Sequence, residues 1–294
     1  MFEKRLNESA ARHLTRRINP LHSGVGPMVE MTGRQILLLA SNDYLGLAMH
    51  PEVIQASVEA TQRFGAGAGA ARLISGSLPP HQDLESALAQ FKGTEAALTF
   101  SSGYLANIGT IPALIEQGGL ILADRLCHAS LIDGCRLSAA DFRVYRHNDI
   151  GHLQSLLAKR RRARRTLIVT DGLFSMDGDL APLPELCRLA NDYEADLYID
   201  DAHGTGVMGP HGRGTAEHFG LDTQIPFQMG TLGKAFGSSG AYLAGSSALI
   251  RYLMNTSRSF IFTTAPPPSS AAAVAAAAAL APRDPGEASV PAPL

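Results

Sequence analysis

The chain reads as an α/β protein built on a mostly parallel sheet with helices on both faces. Three observations carry that expectation. Between residues 96 and 199, short β-rich runs alternate with longer helix-patterned runs. Gly103, His128, Ser175 and Asp200 follow the ends of strand candidates, where the ligands of such sheets sit. The chain has 294 residues, 45% hydrophobic and 18% charged, which suits a globular protein with a sizeable core and about two domains.

Taken in order, residues 2–17 carry mixed charge at helical spacing and stop before Asn19-Pro20, predicting a short helix with a basic end. Residues 35–40 form an apolar run read as a strand, and Ser41-Asn42-Asp43-Tyr44-Leu45-Gly46 as a turn. Pro51 sits early in a helix reaching about residue 64. The cluster Gly65-Ala66-Gly67-Ala68-Gly69 has Ala70 where GxGxxG needs glycine, so it is no dinucleotide fingerprint. A helix over 80–92 is closed by Gly93. Strands are expected at 96–100, 120–123, 142–145, 166–170 and 197–199. Helices are expected between them at 105–116, 130–138, 150–162 and 183–193. Residues 228–229 and 240–244 are two more short strand candidates. Pro266-Pro267-Pro268 leads into an Ala-rich helix candidate, and the final dozen residues read as disordered.

A net charge of −2 gives no reason to expect nucleic acid or an acidic membrane surface as partner. Residues 159–165 are basic at six of seven positions. They are read as a solvated helix end, where the dipole favours cations, rather than a nucleic-acid patch. Cys127, Cys135 and Cys187 form no CxxC pair and no metal-ligand spacing, which fits buried thiols in a reducing compartment. The N-terminus is too polar for a secretory signal, and residues 271–281 are too few to span a membrane, so a cytoplasmic location is expected.

The chemistry centres on Met229-Gly230-Thr231-Leu232-Gly233-Lys234-Ala235-Phe236-Gly237-Ser238-Ser239-Gly240. Glycines allow close backbone approach, and free amides and hydroxyls suit a phosphate. A lysine there can form an imine with an aldehyde. Pyridoxal phosphate would also need a carboxylate at its pyridine nitrogen, a group against its face, and donors for its phenolic oxygen and phosphate. Asp200-Asp201-Ala202-His203-Gly204 offers the carboxylate and an imidazole at the ring edge. Ser101-Ser102-Gly103-Tyr104 stands at a helix start, where free amides bind phosphate. His128 can stack on a flat ring, and Ser175 can donate to a phenolate. Each has a plainer reading beside it: an acidic turn, an N-cap, a packed histidine. The turn Asp177-Gly178-Asp179 lacks EF-hand spacing, and no metal is expected.

As a set, these motifs resemble the α-oxoamine synthases, pyridoxal-phosphate enzymes of transferase fold type I. The resemblance rests on Ser41 to Gly46, Ser102-Gly103-Tyr104, Asp124-Arg125 with His128-Ala129-Ser130, Phe174 to Asp179, Asp200 to Gly204, and Thr231 with Lys234. It covers about residues 1 to 268. It implies that Lys234 is the Schiff-base lysine, that Asp200 pairs with the pyridinium nitrogen and that His128 stacks on the ring. It further implies that Ser175 and His203 bind the phenolic oxygen and that Gly103, Tyr104 and Thr231 hold the phosphate region. Arg16, Asn42 and His128 would contact substrate. Thr263 and Thr264 would reach the neighbour's phosphate in a homodimer.

The implied reaction is a decarboxylative condensation of L-alanine with a pimeloyl thioester carried by acyl carrier protein or coenzyme A, as in biotin biosynthesis. Glycine C-acetyltransferase or 5-aminolevulinate synthase-like activity, and a non-catalytic cofactor-binding remnant, are the alternatives. The expected division is an N-terminal segment over 1–45, a cofactor-binding large domain over 46–265 and an Ala/Pro-rich tail over 266–294. A small C-terminal domain, with a further arginine for the substrate carboxylate, is expected to be largely absent. An aggregation-prone or obligately dimeric chain follows from that expectation.

Overall fold

A computed structural model describes residues 1–160 and 164–281 of the protein. The chain divides after Ser41 into two compact units. The first holds α1 (Phe2–Ala11), β1 (Met28–Met31) and β2 (Arg34–Leu37). The helix stops short of the expected residue 17 because His13 takes a positive φ of 55°. β1 and β2 form an antiparallel hairpin with Val29 opposite Ile36. Thr32 and Gly33 turn it with φ of 52° and 73°, the pair of positive angles a tight two-residue hairpin needs. The strand expected over 35–40 is therefore half of a hairpin whose first strand the sequence reading does not contain.

The second unit is the α/β body. In order it comprises α2 (Pro51–Phe64), α3 (Pro79–Lys92), β3 (Ala96–Phe100), α4 (Gly103–Leu114), β4 (Leu120–Asp124), α5 (Ala129–Leu137), β5 (Asp141–Tyr145), α6 (Ile150–Ala158) and β6 (Thr166–Asp171). It continues with α7 (Leu183–Asp192), β7 (Asp196–Asp200), α8 (Thr215–His218), β8 (Phe227–Thr231), β9 (Ala241–Gly245), α9 (Ser247–Thr256), α10 (Arg258–Ile261) and α11 (Pro268–Leu280). The seven-stranded sheet has the order β3-β9-β8-β7-β6-β4-β5. Its neighbours run parallel except where β9 pairs with β3 and β8.

The two-residue period of the strands covers both faces of the sheet. Ile121, Ala123, Leu167, Val169, Tyr198, Met229 and Leu243 pack on one face with residues of α4, α5, α9 and α10. Their alternates Leu120, Leu122, Ile168, Leu197 and Ile199 pack on the other with α6 and α7. Towards the β3 edge, Ala97, Tyr242 and Ala244 meet α2, α3 and α11. The Ala-rich stretch is thus part of this core, with Ala271, Val274 and Ala277 buried. Small side chains there let three helices lie close together.

All three cysteines are buried and unpaired. In the basic run, Arg160 donates to Thr166 Oγ1 at 3.1 Å, and Arg165 reaches Asp196 at 2.6 Å and the Leu114 carbonyl at 3.0 Å. Its residues 161–163, with the end of the helix expected over 150–162, and residues 282–294, which include the final dozen expected to be disordered, lie outside the described residues. Among the described residues, no helix is long and apolar enough to cross a membrane, and no group of side chains has the make-up of a metal site.

Candidate active site

The carboxyl ends of β6, β7 and β8 bring three side chains to one place. Asp171 and Asp200 are register partners, as are Asp200 and Met229. Val169, Tyr198 and Met229 face α4 and α5. By the same alternation Asp171, Asp200 and Thr231 emerge on that side. Asp200 is 3% exposed. Its Oδ2 accepts from Asn107 Nδ2 at 2.7 Å, and its Oδ1 from the Ala202 amide at 3.0 Å. Burial raises its pKa, against the pull of those two donors and of the Lys234 charge. Asp171 is also pushed up, by burial first and then by the neighbouring Asp200, although the His128 amide donates to it at 2.9 Å.

Lys234 lies in the tight connection from β8 to β9. That connection is closed by Leu232 N–H to the Gly240 carbonyl at 2.9 Å and Gly237 N–H to the Lys234 carbonyl at 2.8 Å. Gly237 has φ of 64°, and a Cβ there would lie 2.2 Å from the Ala48 nitrogen, so only glycine fits. Lys234 Nζ donates to His203 Nε2 at 2.7 Å. With Nε2 accepting, His203 Nδ1–H donates to Tyr44 Oη at 2.7 Å, and Tyr44 O–H reaches Asn42 Oδ1 at 3.3 Å. Burial lowers the pKa of the Lys234 amine, with Asp200 and Asp171 acting against it. His203 falls to about 4, through burial first and then the Lys234 and His128 charges.

At the amino end of α4, Ser102 caps the helix by accepting from the Leu105 amide at 3.2 Å. The first helical bond is made by Ala106 to the Ser102 carbonyl at 3.0 Å. The amides of Gly103 and Tyr104 precede that bond, and such amides at a helix start favour an anion. A Cβ on Gly103 would lie 2.7 Å from Thr231 Cγ2, so the helix start rests directly on the end of β8. His128 caps α5, with Nδ1 2.7 Å from Ser130 Oγ.

Lys234, His203, Asp200, Thr231, Gly103 and His128 surround the ends of β6, β7 and β8. The Tyr104 side chain instead turns to Asp133. Ser175 is exposed in the turn between Leu173 and Leu180, with no hydrogen bond to Lys234, His203 or Asp200. Thr264 forms a bridge with Ala71, its carbonyl 3.5 Å from Ser101 Oγ, and Thr263 precedes it half-buried. Arg16 is exposed in the first unit. Sequence reading missed Asn107, which orients Asp200, and Asp171, whose strand it ended one residue early. It also gave no role to Tyr44, the partner of His203. Only the shared strand-end position of Asp171 offered a signal. A cavity of ≈ 370 Å³ between α3 and α11, lined by Gln90, Phe91, Arg213 and Ala278, contains none of these side chains.

Residues 34–288 match the family model for aminotransferase class I and II. An 8-amino-7-oxononanoate synthase of Geobacter sulfurreducens is 54% identical over 260 residues, covering 88% of this chain and 66% of that protein. One from Geobacter metallireducens is 50% identical over 264 residues, covering 90% and 68%. Serine palmitoyltransferase from S. paucimobilis, solved with PLP and myriocin bound, superposes with a TM-score of 0.91 at 31% identity, covering 96% of this chain and 71% of that one. The chain spans about two thirds of the length of the curated relatives it matches, 66% of one and 68% of the other.

Proposed function

Because the chain belongs to the aminotransferase class I and II family, within its α-oxoamine synthases, we propose that it binds pyridoxal phosphate and condenses L-alanine with a pimeloyl thioester, with loss of carbon dioxide. The observation that carries this reading is the pairing of a half-buried amine with a buried carboxylate. Lys234, hydrogen-bonded to His203 in the connection that leaves β8, feels the charge of Asp200 at the end of the neighbouring β7.

The residues fit the cofactor. Asp200 is an anchored carboxylate in a dry place, suited to hold a proton on the pyridine nitrogen. The helix start at Gly103 and Tyr104, resting on Thr231, is a cradle that a Cβ would fill. His128 lies beside Asp200 and suits the ring face. When bound, the cofactor takes up electrons from the substrate's α-carbon.

The protein's own side chains do the rest. Lys234 is a nucleophile whose burial favours loss of its proton, and its amine then takes the α-proton from the substrate. His203, held by Tyr44, orients that amine. Asn42 and Arg16 are assigned to the substrate, and Ser175 to the phenolic oxygen. Thr263 and Thr264 are assigned to the phosphate of a second copy in a homodimer. The exposed Ile74 and Phe262, 82% and 71% accessible, belong to neighbouring segments and suit such pairing. Acyl carrier protein or coenzyme A would deliver the thioester.

The test is an absorbance titration with pyridoxal phosphate, followed by L-alanine and then by the thioester with carbon dioxide release measured. A yellow band that responds to alanine, and release with alanine, support the reading. Release with glycine alone would assign the chain to a glycine-using branch. A band unmoved by either amino acid would remove the catalytic part of the proposal.

A further inference from the structure

The direction of a buried hydrogen-bond chain beside the site can be read from donor and acceptor chemistry. Asn107, fully buried in α4, places its amide 2.7 Å from Asp200 Oδ2, 2.8 Å from Ser130 Oγ and 2.8 Å from the Tyr198 hydroxyl. The Asp200 carboxylate accepts at both oxygens, from the Ala202 amide at Oδ1 and from Asn107 at Oδ2, so the NH₂ group faces it. The second proton of the same group goes to Ser130, and the amide oxygen accepts from Tyr198. The flipped amide would set oxygen against carboxylate. Ser130 Oγ thus accepts from Asn107 and has its single proton left for the neighbouring His128 Nδ1, at 2.7 Å. The Ser130 amide points at the same nitrogen from 3.3 Å. Two donors converge on Nδ1, which must therefore carry a lone pair.

We infer that Asn107 is a positioning residue that carries the polarity of the Asp200 carboxylate through Ser130 to His128, holding the imidazole as the tautomer protonated on Nε2. Asp171 fixes the same residue from behind, by accepting its backbone N–H at 2.9 Å. The functional meaning rests on the pyridoxal-phosphate reading. One amide would tie the group at the pyridine nitrogen to the ring proposed to lie against its face. The geometry itself does not depend on that reading.

The test uses the full chain, labelled with nitrogen-15 histidine and without added cofactor, at about pH 8, above the ordinary histidine range. Two-bond nitrogen–proton NMR distinguishes the tautomers, and the His128 signal is the one lost in His128→Asn. An unprotonated Nδ1 with a protonated Nε2 is expected, and a protonated Nδ1 overturns the inference. Asn107→Asp sets an acceptor against Ser130, turns the hydroxyl away from His128 and is expected to move the proton to Nδ1. An unchanged tautomer in that variant, once folded, removes the role given to Asn107. Should Asn107→Asp not fold, Ser130→Ala decides: a several-fold rise in the Nδ1-protonated form is expected, and no change overturns the relay. Absence of the cofactor band together with the expected tautomer would overturn the proposed function and leave this inference standing.

Discussion

Lys234 becomes a usable nucleophile because of what surrounds it. Burial disfavours its ammonium form, and the two carboxylates at the strand ends limit how far that goes. Asp200→Ala removes the carboxylate proposed for the pyridine nitrogen and leaves Lys234 itself in place, with one fewer neighbouring charge favouring its ammonium form. Carbon dioxide release should fall by roughly 100-fold or more while the cofactor band persists. Equal turnover in variant and wild type would remove Asp200 from the chemistry. His203 makes a separate prediction in the cofactor-free chain. Its folded pKa is about 4 against an ordinary 6.5, so between those values the unfolded chain binds the extra proton. Its contribution to stability is full above 6.5 and is lost as pH falls from there to about 4. Thermal unfolding across that window should show a shallower acid decline in His203→Gln than in wild type.

The elements show which parts of the fold a sequence can display. The alternation of strands and helices from Ala96 to Asp200 was readable, because period-2 and helical runs differ sharply there. Strand ends were not. Residues 120–123, 166–170 and 197–199 each extend through an aspartate, at Asp124, Asp171 and Asp200. Acidic residues have poor strand propensity, and the neighbouring ladder holds them there. α9 was overlooked although Ser246 caps it and Ile250 and Leu253 bury one face. β1 was overlooked because Thr32-Gly33 does not look like the usual Asn-Gly turn. Lys234, Asp200 and His203 stood out by residue type. Asn107 did not, since a mid-helix asparagine has no local pattern and its role exists only once β7 and α5 lie beside α4. The contact of α4 with β8 gives this scale its own test. Gly103→Ala should force the helix start off Thr231, weakening cofactor binding on the order of tenfold, about 1–2 kcal/mol, in a fluorescence titration. Unchanged affinity would mean that this helix start is not the phosphate cradle.

Across the body of the protein, the turn bearing Asp201 is held by a second buried charge cluster. Asp201 accepts from the Thr215 amide at 2.8 Å and from Thr215 Oγ1 at 2.9 Å. Lys92, at the end of α3 and 1% exposed, donates to the Arg213 carbonyl. Its pKa is lowered by burial, with Asp201 the leading charge acting against that. Lys92→Met would leave Asp201 buried without its cation, so urea unfolding should show a loss of about 3 kcal/mol, partly recovered by adding Asp201→Asn. The same fold that buries this pair sets Lys234 beside Asp200 and His203, and that placement can be read chemically. The cofactor-loaded chain, reduced with borohydride and digested, should yield one pyridoxyl-modified peptide by mass spectrometry, carrying the group on Lys234. Modification at Lys92 or Lys159 instead, or none at all, would contradict the account.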